Sequence, residues 1–195
     1  MKTTLIALLF TITLTSAHAQ LTKGNWLVGG TGNFLASKNS YSTPTSSSSS
    51  DRIDIKISPA VGYFVVDKLS IGLRPSFSKY KDVVDGTGGN INSNINRFEI
   101  GPFLRYYFLE ADKQYNILAD FGYQYGFYWF KPTKGSINTF SANAGTVIFF
   151  NTVVGGEFLV GYYQRKEVIK QNGDFITNQK GLQISLGFQI HLEKE

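Results

Sequence analysis

The sequence predicts an all-β fold, an eight-stranded antiparallel up-and-down transmembrane β-barrel. Three observations carry that expectation. Apolar residues recur at every second position over long segments, connections alternate long and short, and aromatic residues gather at segment ends. Segment 97–130 shows the first most clearly. Phe98, Ile100, Pro102, Leu104, Tyr106 and Phe108 share one face, against Arg97, Glu99, Gly101 and Arg105. After the charged turn Glu110–Lys113, the residues Tyr115, Ile117, Ala119, Phe121, Tyr123, Tyr125, Phe127 and Trp129 oppose Asn116, Asp120, Gly122, Gln124 and Gly126. An ordinary strand is about five or six residues long; a strand that crosses a bilayer, oily on one face and polar on the other, takes about ten. Both segments reach that length.

The chain begins with Lys2, an apolar run from Leu5 to Leu14 and Ala17-His18-Ala19. This is the pattern of a signal peptide over residues 1–19, cleaved after Ala19, leaving a single barrel domain over 20–195. The apolar run is shorter than the roughly 20 residues of a spanning helix. Strand one, in NWLVGGTGNFLAS, sets Trp26, Val28, Gly30, Gly32, Phe34 and Ala36 against Leu27, Gly29, Thr31, Asn33 and Leu35. Its Gly-x-Gly is not followed by a helix, so it is no dinucleotide fingerprint. The Ser-rich run 37–51 reads as a mobile polar loop.

Strand two places Ile53, Ile55, Ile57, Pro59, Val61 and Tyr63 opposite Arg52, Asp54, Lys56, Ser58, Ala60 and Gly62. A tight turn at Val66-Asp67-Lys68 leads to strand three, where Leu69, Ile71, Leu73, Pro75 and Phe77 oppose Ser70, Gly72, Arg74, Ser76 and Ser78. Pro59, Pro75 and Pro102 each delete a ladder donor, and β-bulges are the expected accommodation. A second long loop covers 81–94, and its Gly-Thr-Gly-Gly lacks the Lys-Ser/Thr of a phosphate-binding loop. The segment 97–130 supplies strands four and five. A shorter loop at 131–136 precedes strand six (137–150), a minimal turn at Asn151-Thr152 and strand seven (153–164). A long polar loop at 165–180 then precedes strand eight, GLQISLGFQIHL, with Leu182, Ile184, Leu186, Phe188, Ile190 and Leu192 on one side. Connections therefore run long, short, long, short, long, short, long, as in barrels with long external loops and tight periplasmic turns.

Composition agrees. The chain has no Cys, and a closed ladder needs no disulfides because it has no free edge. Twenty Gly, eleven Tyr and sixteen Phe beside one Met point away from helices. The formal charge of +5 is spread over turns, loops and expected lumen positions. With no basic helix and no RNP-like aromatic motif, nucleic acid is not an expected partner.

Alternation alone leaves two orientations, since a lipocalin-like soluble barrel keeps its oily face inside around a ligand. Aromatic girdles at strand ends favour the membrane version. They are expected from Tyr63, Phe64, Tyr106, Phe108 and Phe149 near the short turns and from Tyr128, Trp129 and Tyr162 near the long loops. The opposite face carries Asp54, Lys56, Arg74, Glu99, Arg105, Asp120 and Glu157, a set expected to pair as a polar network in a narrow lumen. Few charges are left for the oily face to be solvated.

Catalytic chemistry is poorly supplied. After cleavage the one histidine is His191. A Ser-His-acid arrangement with Ser185 fails on distance, because six residues along a strand span about 20 Å. Glu157 and Asp120 beside Arg74 and Arg105 read as structural ion pairs rather than an acid/base couple. No cluster has metal-ligand spacing, so neither catalytic residues, nor metal ligands, nor a cofactor are expected.

Four stretches carry a family resemblance: KGNWLVGG, the S/G-P-x-x-x-Y-F/Y pattern before each Asp-Lys turn, GGEFLVGYY, and the last strand GLQISLGFQIHL. On these, the chain resembles the small outer-membrane β-barrel proteins of OmpX/OmpA type, the porin family, in particular those of Bacteroidetes-like bacteria. The resemblance covers nearly all of Gln20 to Leu192. It implies a bacterial outer-membrane location, with outer-membrane lipid and the barrel-insertion machinery as partners. Members of that family usually end on an aromatic residue read by the machinery; this sequence departs from that pattern with Leu192-Glu-Lys-Glu195, so Phe188 or Leu192 would have to serve. The expected role is structural or surface-interacting, with an external ligand or partner met through loops 37–51, 81–94 and 165–180. The alternatives are a narrow porin-like channel for small solutes or ions and a soluble carrier of a hydrophobic ligand.

Overall fold

The computed structural model describes residues 21–193 apart from 44–45, 87–88, 131–132 and 171–173, and omits the side chains of 34–53, 80–94, 130–133 and 169–175. The signal-peptide segment and its cleavage site lie outside the described residues. Eight strands follow one another: β1 (Trp26–Thr43), β2 (Ser46–Val66), β3 (Leu69–Gly86), β4 (Gly89–Tyr107), β5 (Tyr115–Phe130), β6 (Thr133–Phe149), β7 (Val154–Lys170) and β8 (Asp174–Leu192). Each pairs antiparallel with the next, and β1 pairs with β8 to close the barrel.

The period-two pattern becomes two surfaces. Ile71, Leu73, Ile100, Leu104, Phe121, Tyr123, Tyr125, Phe158 and Leu186 are exposed around the outside. Arg74, Glu99, Arg105, Asp120, Gln124, Asn143 and Glu157 are buried within. The oily face is therefore the outer one, opposite to a carrier with an apolar lumen.

The strands are longer than alternation alone suggests, and four loop assignments need correction. Segments 37–51, 81–94 and 165–180 are mostly paired strand, from Ser37↔Arg52 to Thr43↔Ser46, from Lys81↔Asn94 to Gly86↔Gly89, and from Arg165↔Gln179 to Lys170↔Asp174. Segment 131–136 likewise starts β6 at Thr133. A ladder satisfies backbone groups whatever the side chains are. Where both faces are wet, no apolar period marks it.

The short turns are fixed by local hydrogen bonds. Lys68 sits in the left-handed region with φ 67°, and its backbone N–H donates to the Leu21 carbonyl at 2.7 Å. The buried Asn116 side chain accepts from the Leu109 N–H at 2.9 Å and donates to the Leu109 carbonyl at 3.1 Å, tying the β4–β5 turn. Asn151 Oδ1 accepts from the N–H groups of Val153 and Val154, both at 2.8 Å.

The prolines do not sit at bulges. Between Ile57↔Phe77 and Val61↔Leu73 the β2–β3 register is kept but the pairing lapses, and Pro59 and Pro75 face each other in that gap. Pro102 occupies the equivalent lapse between Ile100↔Tyr125 and Phe103↔Gly122. Each proline turns its donorless nitrogen toward the gap, while its other edge stays paired, as at Gly30↔Pro59, Pro75↔Ile100 and Leu73↔Pro102. The register shift in β2–β3 falls elsewhere, between Phe64 and Val66.

Inward glycines make room for large rings. Gly62 and Gly72 pair across β2–β3, Gly72 pairs with Phe103, and Phe103 with Gly122. The Phe103 ring fills the space above Gly62 and Gly72, with the Arg74 guanidinium 4.4 Å from its centroid. A Cβ on Gly72 would lie 2.1 Å from the Val61 carbonyl oxygen and 2.7 Å from the ring. Gly72→Ala is therefore expected to destabilise by about 1–3 kcal/mol. Gly32→Ala, whose Cβ meets, among the described residues, only the Leu186 carbonyl at 4.0 Å, should stay within about 0.5 kcal/mol. Urea unfolding midpoints of the two variants check the contrast.

Candidate functional site

The interior is built in layers. At the short-turn end, Leu21, Leu27, Phe64, Tyr107, Leu118, Val147 and Phe149 form a buried apolar plug. His191 is buried in it, its ring 5.6 Å from Phe64, 5.5 Å from Phe149 and 6.1 Å from Tyr107. His191 Nε2 lies 3.1 Å from Gln189 Oε1, to which the Tyr107 hydroxyl also donates. Residues 21–25 fold across the opening: Gly24 N–H donates to the Phe64 carbonyl at 2.9 Å, and Lys23 N–H to Asp67 Oδ1 at 2.8 Å. The base is closed by packing.

The middle layer is ionic. Arg74 grips Asp120 with both ends of its fork, at 2.8 and 2.5 Å. Arg105 bridges, donating from Nε to Asp120 at 3.0 Å and from Nη1 to Glu157 at 2.7 Å. Asn143 adds a donor to Asp120 at 3.2 Å and accepts from Gln183 at 2.7 Å. Such two-pronged, charge-assisted contacts are the strong kind. Six strands, β3 to β8, are thereby tied through the lumen. The spaces beside this cluster are small, about 10 and 20 Å³, of the order of single water sites.

A second charged layer lies toward the long hairpins. Arg97 contacts Glu167 at 3.0–3.1 Å, and Arg165 reaches Glu99 at 3.7 Å. Gln124 donates to the Arg74 carbonyl and to Ser76 Oγ, both at 2.7 Å, and accepts from Lys56 Nζ at 3.4 Å. Tyr128 lies over Gly135, its cross-strand partner, where a Cβ would meet the ring at 2.4 Å. An aromatic covering a facing glycine in this way helps to pin a register.

Of the seven lumen residues expected from sequence, Arg74, Asp120, Arg105 and Glu157 come together in one cluster. Glu99 pairs instead with Arg165, and Asp54 and Lys56 join no ion pair among the described residues. Tyr63, Tyr106, Phe108, Trp129 and Tyr162 stand on the outer surface, with Trp26 edge-on to Tyr63 at 5.2 Å. Phe64, Tyr128 and Phe149 do not belong with them: all three are buried inside the barrel. Neighbouring residues in a strand point to opposite faces, so each aromatic doublet gives one ring to the outside and one to the lumen.

Arg97, Arg165, Glu167, Asn143 and Gln189 are members of the interior that the expected set lacks. Arg165 and Glu167 fall in step with Glu157 once β7 is extended past Tyr163, and that parity was the available signal. Among the described residues no three His, Cys, Asp or Glu side chains gather as a metal site. Ser185 Oγ accepts from Asn33 at 2.6 Å.

No protein-family model and no curated protein matches the sequence. Solved structures do match it. The outer membrane protein OprG from Pseudomonas aeruginosa superposes with a TM-score of 0.62 at 14% identity, over 92% of this chain and 100% of OprG. This chain has the fold of OprG. The N-terminal β-barrel domain of OprF from the same organism matches at a TM-score of 0.46 and 13% identity, over 87% of this chain and 98% of that one. The likeness to OprG, at 14% identity, concerns the closed eight-stranded wall alone.

Proposed function

We propose that the protein is a bacterial outer-membrane β-barrel with a structural and surface-interacting role, a rigid wall that presents polar hairpins outside the cell. The observation that carries the reading is the inversion of the barrel: an outer surface of exposed Ile, Leu, Phe and Tyr around an interior of paired Arg, Asp and Glu. Such an outer surface suits hydrocarbon, and the exposed Tyr106, Phe108, Trp129 and Tyr162 suit its two boundaries. The OprG fold supports the same placement. The packed base and the ionic middle layer count against free passage, because eight strands leave an interior that side chains just fill. The partners proposed with this reading are membrane lipid, the insertion machinery and an external ligand met by the hairpins β1–β2, β3–β4 and β7–β8.

The chain has no Cys, so single cysteines report topology cleanly. On intact cells, a membrane-impermeant maleimide should label Ser48→Cys and leave Asp112→Cys untouched. The protein should also partition with outer membranes and run faster unboiled than boiled on a gel. Labelling of Asp112→Cys alone, or a soluble protein without a heat shift, overturns the reading. A steady current in planar bilayers that changes with Arg105→Ala would move the role from display to conduction.

A further inference from the structure

The register of the wall brings four outward side chains into one row. Lys79 on β3 pairs with Asn96 on β4, Asn96 with Trp129 on β5, and Trp129 with Lys134 on β6. All four have the outward parity of their strands, and Lys79, Trp129 and Lys134 are exposed. Two residues nearer the base, β3, β4 and β5 supply a second row. There Phe77 faces Phe98 and Phe98 faces Phe127, with the Phe77 and Phe98 rings 5.0 Å apart. A polar, basic row therefore sits directly above an aromatic one on the same patch of wall.

The upper row lies where hydrocarbon should end. On β3 the outward apolar run from Leu69 to Phe77 has the length of a tilted crossing, about 9–11 residues. Lys79 is the next outward residue. An indole suits the same boundary, with its body apolar and its N–H able to reach a polar partner. Charge at this level is one-sided. Lys79 and Lys134 join no ion pair among the described residues, nor do Lys166 and Lys180, outward toward the same end of β7 and β8. Among the described side chains no Asp or Glu faces outward there. At the base, by contrast, opposite charges meet: Lys68 pairs with Glu110 at 2.6 Å, and Lys113 lies 4.0 Å from Asp112.

Lysines without a carboxylate at a membrane boundary attract anionic headgroups. Three strand spacings of about 4.8 Å separate Lys79 from Lys134, roughly 14 Å at the backbone, and long flexible stems let both ammonium groups lean over the residues between them. We propose that the row Lys79, Asn96, Trp129 and Lys134 is a docking site for an acidic phospholipid. Its phosphate is held between the two ammonium groups over Asn96 and Trp129, and its chains lie on Phe77, Phe98 and Phe127. The site presupposes the membrane placement proposed above, and adds to it a preferred class of lipid and a position on the wall.

The chain has two tryptophans; Trp129 reports on the row and Trp26, beside Tyr63 at the base, serves as its control. The test uses the full barrel in phosphatidylcholine vesicles, with Trp26→Phe leaving Trp129 as the one indole. Phosphatidic acid brominated near the top of its chains should quench Trp129 more strongly than equally brominated phosphatidylcholine at the same mole fraction. Lys79→Gln and Lys134→Gln should each lower that preference by about fivefold, the worth of one lysine at a charged bilayer surface. Salt at about 1 M, where the screening length is about 3 Å, should weaken it with the row intact, and carries the test should a lysine variant fail the heat-shift check of folding. With Trp129→Phe, Trp26 should be quenched alike by both lipids. Equal quenching of Trp129 by the two lipids, an equal preference at Trp26, or a preference that neither lysine variant reduces overturns the site and leaves the barrel in its membrane. Quenching of Trp129 by neither lipid overturns the membrane placement as well.

Discussion

Asp120→Ala is expected to lower the stability of the barrel by about 3–5 kcal/mol, the cost of leaving a buried charge without its partner. The carboxylate is fully buried and holds both Arg74 and Arg105. Removing it leaves two guanidinium groups facing each other with Glu157 alone to serve them. Replacing all four by apolar residues of similar size (Arg74→Met, Arg105→Met, Asp120→Leu and Glu157→Met) should be far milder, because desolvation of both signs disappears together. Urea-dependent refolding into lipid vesicles, read by the heat-sensitive gel shift, separates the two cases. A single variant within about 1 kcal/mol of the parent would mean that water reaches the cluster freely.

Phe121→Lys should cost about 2–4 kcal/mol in the same vesicles, whereas Phe108→Lys should cost at most about 1 kcal/mol. Phe121 lies well inside β5 on the exposed apolar face, between Tyr115 and Trp129; Phe108 adjoins the β4–β5 turn. Both are outward, so the contrast measures depth in hydrocarbon and not orientation. Equal, small effects would show that no bilayer surrounds Phe121.

These two tests touch what the sequence displayed most openly. The face of Arg74, Glu99, Arg105, Asp120 and Glu157 follows from parity, since a strand has only two sides. Who pairs with whom follows only in part: Arg105 faces Asp120 as its partner across the β4–β5 hairpin, whereas Arg74, whose own register partner is Gly101, reaches the same carboxylate from two strands away. Lys56 and Glu99 illustrate the point: both are inward, yet Glu99 pairs with Arg165, from a stretch with no apolar period to announce it as strand. The aromatic doublets misled for a different reason. Phe64, Tyr128 and Phe149 sit next to outward rings, and closeness in sequence took precedence over the alternation that places them inside. The gap facing Pro59 and Pro75 needed the pairing itself, since two separate prolines give no sign that they are opposite one another.

The length of the hairpins has a spatial consequence. β2 has 21 residues, while a tilted crossing of the hydrocarbon takes about 9–11. The remaining ten or so, at about 3.3 Å each, raise its tip on the order of 20 Å above the membrane after allowing for tilt. The rungs are paired to within two residues of the tip, at Thr43↔Ser46, so that height is built into the ladder. In the proposed role, a partner of the hairpins would be held well clear of the lipid, at a stand-off set by strand length.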